Sequence, residues 1–173
     1  MNLQYFLNPR SVAVVGASSN RAKIGRQILD NLIQGGYRGR IFPINLQDKK
    51  IAGLSAYSDL KMIPRPDFNA MLVIIAIPAK FVLAEITKGA SLGVRNFIVI
   101  SAGFKENGAE GEKMEEEMAA LAKKHRLNIL GPNCLGFINS RLKLNATFAA
   151  SDLKPGNIAL LSQSGAIGDI AWF

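Results

Sequence analysis

Cysteine, histidine and long apolar runs are scarce in this sequence of 173 residues, and each scarcity excludes a class of protein. The single cysteine, Cys134, excludes an internal disulfide framework and indicates a reducing compartment, so we expect a cytoplasmic protein. The most apolar stretch lies within Ala70–Ala79 and is too short to cross a bilayer. Met1–Arg10 lacks the basic start and apolar centre of a signal peptide. We therefore expect no membrane association.

The excess of positive charge is confined to the first hundred residues. These hold 13 Lys and Arg against 5 Asp and Glu, whereas residues 101–173 hold 8 of each. Scattered basic residues most simply form a solvated surface, and a field that attracts a polyanionic ligand is the alternative. Nucleic acid is disfavoured because the basic residues are dispersed and show no aromatic interleaving.

The segment Ser11–Gly25 predicts a binding site for an anion. An apolar strand, Val12–Val15, leads through Gly16 into the small residues Ala17–Ser19, and a helix opens at Lys23–Gly25. The first N–H groups of a helix have no partner within it, and the helix dipole favours negative charge there. A strand, a tight turn and a helix start in this order are typical of phosphate binding.

Apolar runs alternate with helical periodicity over most of the chain. The predicted strands are Val12–Val15, Arg40–Ile44, Ala70–Ile77, Phe97–Ile100 and Asn128–Leu130, and the predicted helices are Lys23–Gln34, Pro78 to about Gly89, and Gly111–His125. This alternation predicts an α/β fold with right-handed βαβ units and a Rossmann-like parallel sheet covered by helices on both faces.

The pattern changes after Gly136. Phe137–Ala150 has no helical periodicity and is predicted to be an irregular crossing segment with short extended pieces. Ser151–Gly156 is the expected domain boundary, and Asn157–Leu161 is predicted to start a new strand. A second phosphate-type turn, Ser162–Gly165, then opens a helix that stops at the end of the chain, Phe173. We therefore predict one domain at 1–150 and the incomplete beginning of a second at 151–173.

The turn at the start of the chain does not match the usual nucleotide motifs. Its glycines are Gly16 and Gly25, nine positions apart, unlike the G-x-G-x-x-G of dinucleotide-binding folds. Asn45 stands where those folds place an acid for the ribose, and the nearest acid is Asp48. The basic residues beside the turn and past the second strand suit a ligand with more phosphate charge than NAD; they are Arg21, Lys23, Lys49 and Lys50.

Six segments in order resemble the CoA-binding domain of the NDP-forming acyl-CoA synthetases. This family includes ADP-forming acetyl-CoA synthetase and, more distantly, the α subunit of succinyl-CoA synthetase. The segments are SVAVVGAS with KIG (11–25), IPAKFV (77–82), VISAGFKE (99–106), ILGPNCLGFIN (129–139), KLNATFA (143–149) and GNIALLSQSGA (156–166). The resemblance covers essentially the whole chain and implies that the second domain is flavodoxin-like.

The resemblance implies that CoA or an acyl-CoA lies across the carboxyl ends of the strands. For the phosphates it implies Gly16, Ala17, Ser18, Ser19, Lys23, Ile24 and Gly25, and for the adenosine end Asn45. For the adenine and pantetheine path it implies Ile77, Pro78, Ala79, Lys80, Ser101, Ala102, Gly103 and Phe104. For a phosphate and phosphohistidine loop it implies Asn133, Ser162, Gln163, Ser164 and Gly165. Leu46 and Gln47 depart from the proline and basic residue common in the family, with Lys49 or Lys50 as possible substitutes.

The resemblance also implies a reaction, in which acyl-CoA, ADP and phosphate interconvert with acid, ATP and CoA through an acyl phosphate and a phosphohistidine. The reacting histidine and the ATP-grasp domain or β-type subunit that holds ADP, ATP and Mg are expected outside this chain. We therefore expect CoA binding without turnover and no metal site. The acyl group and the choice of ADP or GDP stay open. The alternatives are a CoA-binding regulatory module of a protein acetyltransferase and an NAD(P)-binding oxidoreductase domain.

Four residues suggest chemistry but favour a structural interpretation. His125 closes a basic helix end, and Cys134 has no histidine near it in sequence, so we expect a helix-end residue and a buried thiol. Glu106 and Glu110 are expected in a solvated loop rather than as an acid–base pair.

The apolar residues Ile167, Ile170, Trp172 and Phe173 are expected to be disordered, packed on the first domain, or buried against another copy, which would give a homo-oligomer.

Overall fold

A parallel sheet of five strands forms the centre of the molecule in the computed structural model, which describes residues 2–149 and 155–170. The strands in chain order are β1 (Ser11–Val15), β2 (Arg40–Ile44), β3 (Lys50–Ile51), β4 (Leu54–Ser55), β5 (Met71–Ile75), β6 (Asn96–Val99), β7 (Asn128–Leu130), β8 (Gly136–Asn139) and β9 (Leu144–Thr147). The helices are α1 (Gln4–Leu7), α2 (Ile24–Gln34), α3 (Val82–Ser91), α4 (Ala109–His125) and α5 (Gly165–Ile170).

The sheet order is β2-β1-β5-β6-β7, and all four pairings are parallel. The predicted strands and helices are confirmed with shifts of a few residues at their ends. The longest predicted strand, Ala70–Ile77, is shorter in the structure, because the chain leaves the sheet after Ile75 and forms a short 3-10 turn at Ala79–Phe81 before α3. The α/β fold with a doubly covered parallel sheet is confirmed.

Alternate residues of each buried strand enter two separate cores. Ala13 and Val15 of β1 face α3 and α4, whereas Val12 and Val14 face α2. Because both faces are covered, every residue of β1 and β5 is buried, which explains the continuous apolar runs in the sequence. This arrangement leaves the two ends of the strands as the surfaces where loops and ligands gather.

A hairpin completes the α2 face, where we predicted an irregular crossing segment with short extended pieces. β8 and β9 pair antiparallel over four residues, and Leu144 and Ala146 are buried against α2. Asn31 of α2 fixes the hairpin, since its Nδ2 donates to the carbonyls of Thr147 at 2.8 Å and Ala149 at 2.9 Å. The short extended pieces that we predicted within 137–150 are therefore confirmed as β8 and β9. Their pairing into a hairpin was not predicted, because the strands are held by this packing rather than by a strong alternating pattern.

The chain after Pro155 contains no strand in its described part. Asn157–Leu161 is exposed and irregular, so the strand prediction is wrong here: no described segment lies beside it to pair with its backbone. α5 begins at Gly165 as predicted, and Ile167 is 56% exposed. The predicted boundary residues 151–154 and the residues Trp172 and Phe173 lie outside the described residues, and the division into two domains stays a prediction.

No helix in the part of the chain that the structure describes is long and apolar enough to span a bilayer.

Among the described residues, the Ser11 hydroxyl is the one buried side-chain oxygen or nitrogen without a hydrogen-bond partner. Ser11 begins β1 and is 1% exposed, so its hydroxyl loses contact with water on folding and gains nothing in return.

Replacing Ser11 with alanine is expected to stabilise the protein. Removal of an unsatisfied buried hydroxyl recovers its desolvation cost, roughly 1 kcal/mol, and alanine leaves only a small void. Urea unfolding of the two proteins measures the difference. Ser91→Ala is the matched control, because the Ser91 Oγ donates to the Lys88 carbonyl at 2.7 Å and its removal is expected to be neutral or destabilising. A loss of stability in Ser11→Ala would contradict the prediction.

Candidate ligand-binding cleft

The strand order reverses direction at β1 and β5, and a cleft of about 950 Å³ opens at their carboxyl ends. Open α/β sheets bind ligands at this kind of position, because the loops diverge there. The cleft is lined by Ile24, Ala76, Ile77, Pro78, Ile100, Ser101, Ala102, Asn133, Cys134, Leu135, Phe148, Ala149, Gly165 and Ala166. None of these residues is charged, and most are apolar, so the cleft suits an uncharged, extended part of a ligand.

The turn between β1 and α2 is built by close contact between its two glycines. A side chain at Gly25 would overlap the Gly16 carbonyl, with its Cβ 2.7 Å from the carbonyl carbon. Gly16 has a φ of +89°, and a Cβ there would overlap the backbone of Ala76 in the neighbouring loop. The nine-residue spacing of the glycines therefore has a physical reason: the start of α2 packs directly on the end of β1.

A network of side chains from neighbouring segments holds the turn. Asn45, after β2, donates from Nδ2 to the Ala17 carbonyl at 2.7 Å, and its Oδ1 accepts from the N–H groups of Gln47 and Asp48. Asp48 Oδ2 accepts from the Ser19 N–H at 3.3 Å. Asn45 therefore positions the turn. The Asp48 carboxylate accepts from the Ser19 N–H, one of the donors that we predicted for a phosphate.

Arg26 holds the turn from the helix side. Its Nη1 donates to the Ser19 carbonyl at 3.0 Å, and its Nε pairs with Asp30 at 2.8 Å one helical turn further on. Sequence reasoning missed both Arg26 and the contact of Asp48 with Ser19. Arg26 carried a weak signal, an acid four residues later on the same helix face, whereas the Asp48 contact joins segments 29 residues apart.

Ser101 fixes the loop after β5. Its Oγ donates to the Ile77 carbonyl at 2.6 Å and accepts from the Ile77 N–H at 3.2 Å, and the residue is 9% exposed. Ala102 and Gly103 follow on the rim, where the Gly103 N–H donates to Glu106 at 2.6 Å. This bond lowers the pKa of Glu106 below its ordinary value. Glu106 is therefore a loop-closing carboxylate, in agreement with the structural interpretation.

The other predicted residues lie at the same edge with different exposure. Lys80 is on the rim with its ammonium 5.0 Å from the centre of the Phe81 ring. Phe104 is fully buried in the core beneath α3 and α4, so its ring does not line the cleft, contrary to our expectation. Asn133 also lines the cleft, directly beside Ser101, because its N–H donates to the Ser101 carbonyl at 2.9 Å.

The second phosphate-type turn contributes to the same cleft. Ser162 Oγ accepts from the Ser164 N–H and donates to the Ser164 carbonyl, both at 3.0 Å, and so forms a closed turn before α5. Gly165 and Ala166 line the cleft, where a Cβ on Gly165 would lie 3.3 Å from Leu135 Cβ. Gln163 is exposed on the outside of the turn. The fold therefore brings the turns at 16–19 and 162–165 to one edge of the sheet.

The cysteine and the histidine do not provide a reactive pair. Cys134 Sγ lies 3.4 Å from the Val99 carbonyl, and burial raises the pKa of its thiol to about 11, so it stays protonated at neutral pH. His125 ends α4 just before β7 begins, at the amino-terminal edge of the sheet and away from the cleft. Within the described residues, no group of three acidic, histidine or cysteine side chains could hold a metal ion.

The fold divides the basic residues of the first hundred positions between both edges of the sheet. Those near the turn and cleft are Arg21, Lys23, Lys49, Lys50 and Lys80. Those just before or at the amino-terminal ends of the strands are Arg10, Arg38, Arg40, Arg65 and Arg95. The charge excess along the chain is therefore not concentrated at the anion turn, and the field there is weaker than the chain split indicated.

The sheet order, the glycine-packed turn and the apolar cleft define an α/β domain with a ligand cleft beside a turn of the anion-binding type. The family model for the CoA binding domain matches residues 10–140. The α subunits of acetate–CoA ligases (ADP-forming) II and I from Pyrococcus furiosus are 41% identical over 168 residues and 43% identical over 170 residues. These matches cover 96% and 97% of this chain but only 35% and 37% of the relatives.

Solved structures agree with the sequence matches. The dinucleotide-forming acetyl-coenzyme A synthetase 1 of Candidatus Korarchaeum cryptofilum, in complex with phosphate and ADP, superimposes with a TM-score of 0.91 at 38% identity. That match covers 99% of this chain and 36% of the other. The α subunit 2 of succinate–CoA ligase (ADP-forming) from Archaeoglobus fulgidus is more distant, at 25% identity over 118 residues, which are 68% of this chain and 39% of that relative. The chain belongs to the CoA-binding domain family of the ADP-forming acetyl-CoA synthetases.

Proposed function

We propose that this chain binds CoA and its thioesters as the CoA-binding module of an ADP-forming acyl-CoA synthetase. The observation that carries the proposal is the uncharged cleft at the carboxyl ends of β1 and β5, which adjoins the glycine-packed turn at the start of α2. CoA has the same division into a charged end with phosphates and an uncharged pantetheine arm. Ile24 belongs to both regions, since it begins α2 and lines the cleft.

The phosphates of CoA bind at the turn in this proposal. The N–H groups of residues 16–19 and of the first turn of α2 supply donors, and the helix dipole adds a favourable partial charge. Lys23 supplies positive charge at the turn, and Lys49 or Lys50 substitutes for the basic residue that Gln47 replaces. The loop held by Asn45 lies beside the turn and suits the adenosine end.

The pantetheine arm follows the cleft from Ile77–Lys80 and Ser101–Gly103 towards the wall formed by Asn133 and Gly165. This path takes the reactive sulfur to the turn at Ser162–Gly165, where N–H groups at the start of α5 favour a phosphoryl group. The carrier and the phosphoryl group therefore meet at one edge of the sheet, the geometry that acyl transfer to phosphate needs.

The reaction in this proposal is acyl-CoA + ADP + phosphate ⇌ acid + ATP + CoA, through an acyl phosphate and a phosphohistidine. The one histidine of this chain, His125, lies at the wrong edge of the sheet for this role. A histidine loop and an ATP-grasp domain or β-type partner subunit for ADP and Mg therefore have to come from elsewhere. The 173-residue chain alone is expected to bind CoA without catalysing turnover.

Calorimetric titration with CoA, acetyl-CoA, NAD and NADP tests the binding proposal. CoA and acetyl-CoA are expected to bind with similar affinity, NAD and NADP at least tenfold more weakly, and CoA binding is expected to weaken as salt rises because phosphates contribute. Tighter binding of NAD than of CoA would reject the proposal. Turnover of acetyl-CoA, ADP and phosphate by the chain alone would reject only the expectation of inactivity.

Removing the charge of Asp48 is expected to strengthen CoA binding. The Asp48 carboxylate lies on the Ser19 N–H and repels an incoming phosphate, whereas asparagine keeps an acceptor oxygen without the charge. Asp48→Asn should raise CoA affinity by about three- to tenfold at low salt and less at high salt. Glu116→Gln makes the same change of net charge on the exposed side of α4 and should leave the affinity unchanged. Equal effects of both substitutions would show that only net charge matters.

A further inference from the structure

A second cavity, of about 530 Å³, opens at the amino-terminal edge of the sheet, across the strands from the cleft. It lies where α1, the starts of β6 and β7 and the end of α4 come together. Its lining includes Arg95, Asn96, Lys123, Arg126, Leu127 and Asn128. Its volume is within the range of small-molecule sites, and its opposite position means that CoA in the cleft does not reach it.

The charges that line this cavity all have one sign. Arg95, Lys123 and Arg126 are cationic, and no lining residue is acidic. Arg95 is held at the wall, because its Nη1 donates to the carbonyls of Ala90 at 3.1 Å and Val94 at 2.9 Å. Within the described chain, none of the three forms an ion pair. An anion that enters the cavity would therefore meet three cations without a competing carboxylate.

The surrounding edge strengthens the positive field. Arg10 directly precedes β1, Arg40 begins β2, and the Arg40 guanidinium donates to the Arg65 carbonyl at 3.3 Å. All three therefore lie along the same edge of the sheet, on the far side of β5 from the cavity. The acid that faces this group, Asp67, is paired with Arg10 at 3.4 Å, and its other oxygen accepts from the Ala70 N–H. The field at the cavity mouth is therefore positive and favours a ligand with at least two negative charges.

The floor of the cavity is polar and fixed. Asn128 Nδ2 donates to Asn96 Oδ1 at 2.8 Å and to the Asn2 carbonyl at 2.9 Å, and both asparagines are at most 6% exposed. Asn96 Nδ2 in turn faces the carbonyls of Asn69 and Met71 at 3.4 Å. These bonds tie the rim segments around residues 2 and 69 to the sheet, so the cavity is preorganised rather than formed by mobile loops.

Arg126 occupies a backbone position that favours a different residue. It ends α4 in the left-handed region, with a φ of +54°, where glycine or asparagine is the usual choice. The backbone N–H of Arg126 makes the helix cap by bonding to the carbonyls of Ala122 and Lys123, so the side chain contributes to the helix end only through its charge. Glycine at position 126 would therefore keep the cap and remove the charge, which gives an unusually clean test.

We propose that this amino-terminal cavity binds a small molecule through a phosphoryl or pyrophosphoryl group held by Arg95, Lys123 and Arg126. Arginine matches the oxygens of phosphate with paired N–H groups, and lysine adds a point charge. A group of two or more negative charges balances the three cations better than a single carboxylate does. The site is separate from the proposed CoA cleft and does not depend on it.

A titration with inorganic pyrophosphate in 150 mM salt tests the proposal. Two-dimensional NMR spectra of the ¹⁵N-labelled 173-residue chain monitor the binding. Saturable shifts are expected at the amide signals of Asn96, Leu127 and Asn128. The double variant Lys123→Gln with Arg126→Gly should weaken this binding about tenfold or more. Lys124→Gln removes the same kind of charge from a neighbouring residue outside the lining and should change it less than twofold.

Arg126→Gly alone is expected to keep or raise the melting temperature, so that lost binding is not lost folding. Shifts that never saturate, shifts confined to the turn at residues 16–19, or an equal loss in Lys124→Gln would overturn the proposal. A second titration uses heparin, an acidic polymer. If heparin binds along the whole edge, and Arg40→Gln and Arg126→Gly lower its affinity equally, the proposal is overturned as well. Saturable pyrophosphate binding that the double variant loses and Lys124→Gln keeps would support the proposal.

Discussion

Replacement of Gly25 by alanine is expected to lower the free energy of unfolding by about 3 kcal/mol and CoA affinity by roughly a hundredfold. The added methyl group would overlap the carbonyl of Gly16, a backbone group that cannot rotate away. Alanine's better helix propensity returns at most about 1 kcal/mol at the start of α2 and does not offset the clash. The start of α2 must then move away from β1, and the N–H groups that face a phosphate move with it.

Gly156→Ala is the matched control for this substitution. Position 156 has no atom within 4 Å of an added Cβ and no positive φ, so the same chemical change should alter neither stability nor affinity. Chemical unfolding and calorimetric titration with CoA measure the two effects on each variant. Normal CoA affinity in a correctly folded Gly25→Ala protein would show that the phosphates do not bind at this turn.

Replacement of Asn45 by alanine is expected to cost about 2–3 kcal/mol of stability and about tenfold in CoA affinity. One amide group makes three hydrogen bonds, to the Ala17 carbonyl and to the N–H groups of Gln47 and Asp48. Alanine leaves these backbone groups without their partner and releases the loop after β2 from the turn after β1.

The unfolding measurement without ligand separates two roles for Asn45. A residue that only contacts adenosine would lower CoA affinity and leave the stability of the free protein unchanged, whereas a positioning residue lowers both. Gln47→Ala is the control, since the network uses the backbone N–H of Gln47 and not its side chain. If Asn45→Ala unfolds at the same denaturant concentration as the parent protein, the positioning role is wrong.

The regular elements were predictable because they depend on local pattern. The run Val12–Val15 is apolar on both faces of a strand, and Ile28, Leu29 and Leu32 form one face of α2, so both segments fold as predicted. The hairpin β8–β9 escaped prediction because its burial comes from α2, more than a hundred residues earlier in the chain. Asn157–Leu161 escaped in the opposite way, since an apolar run forms no strand without a neighbour.

The candidate site was also predictable only where it depends on local pattern, and not where it depends on contacts between distant segments. The glycines of the turn were identified because small residues between a buried strand and a helix start indicate a tight turn in which the backbone segments approach closely. The role of Asn45 as a support rather than a contact, the carboxylate of Asp48 on Ser19, and the burial of Phe104 all depend on contacts between distant segments. The basic residues at the opposite edge could not be located from the sequence, because charge along a chain does not reveal which end of a strand it occupies.

The hairpin that completes the α2 face also joins the two ends of the domain. Phe6 stacks on Phe137 with ring centres 5.5 Å apart, and Asn139 Nδ2 donates to the Leu7 carbonyl at 3.0 Å. During synthesis the ribosome releases α1 and α2 long before β8 and β9, so the part of the α2 face that Leu144 and Ala146 cover stays open until the hairpin has emerged. The domain therefore gains its full stability late in translation, and a chain that ends before the hairpin is expected to expose this apolar surface.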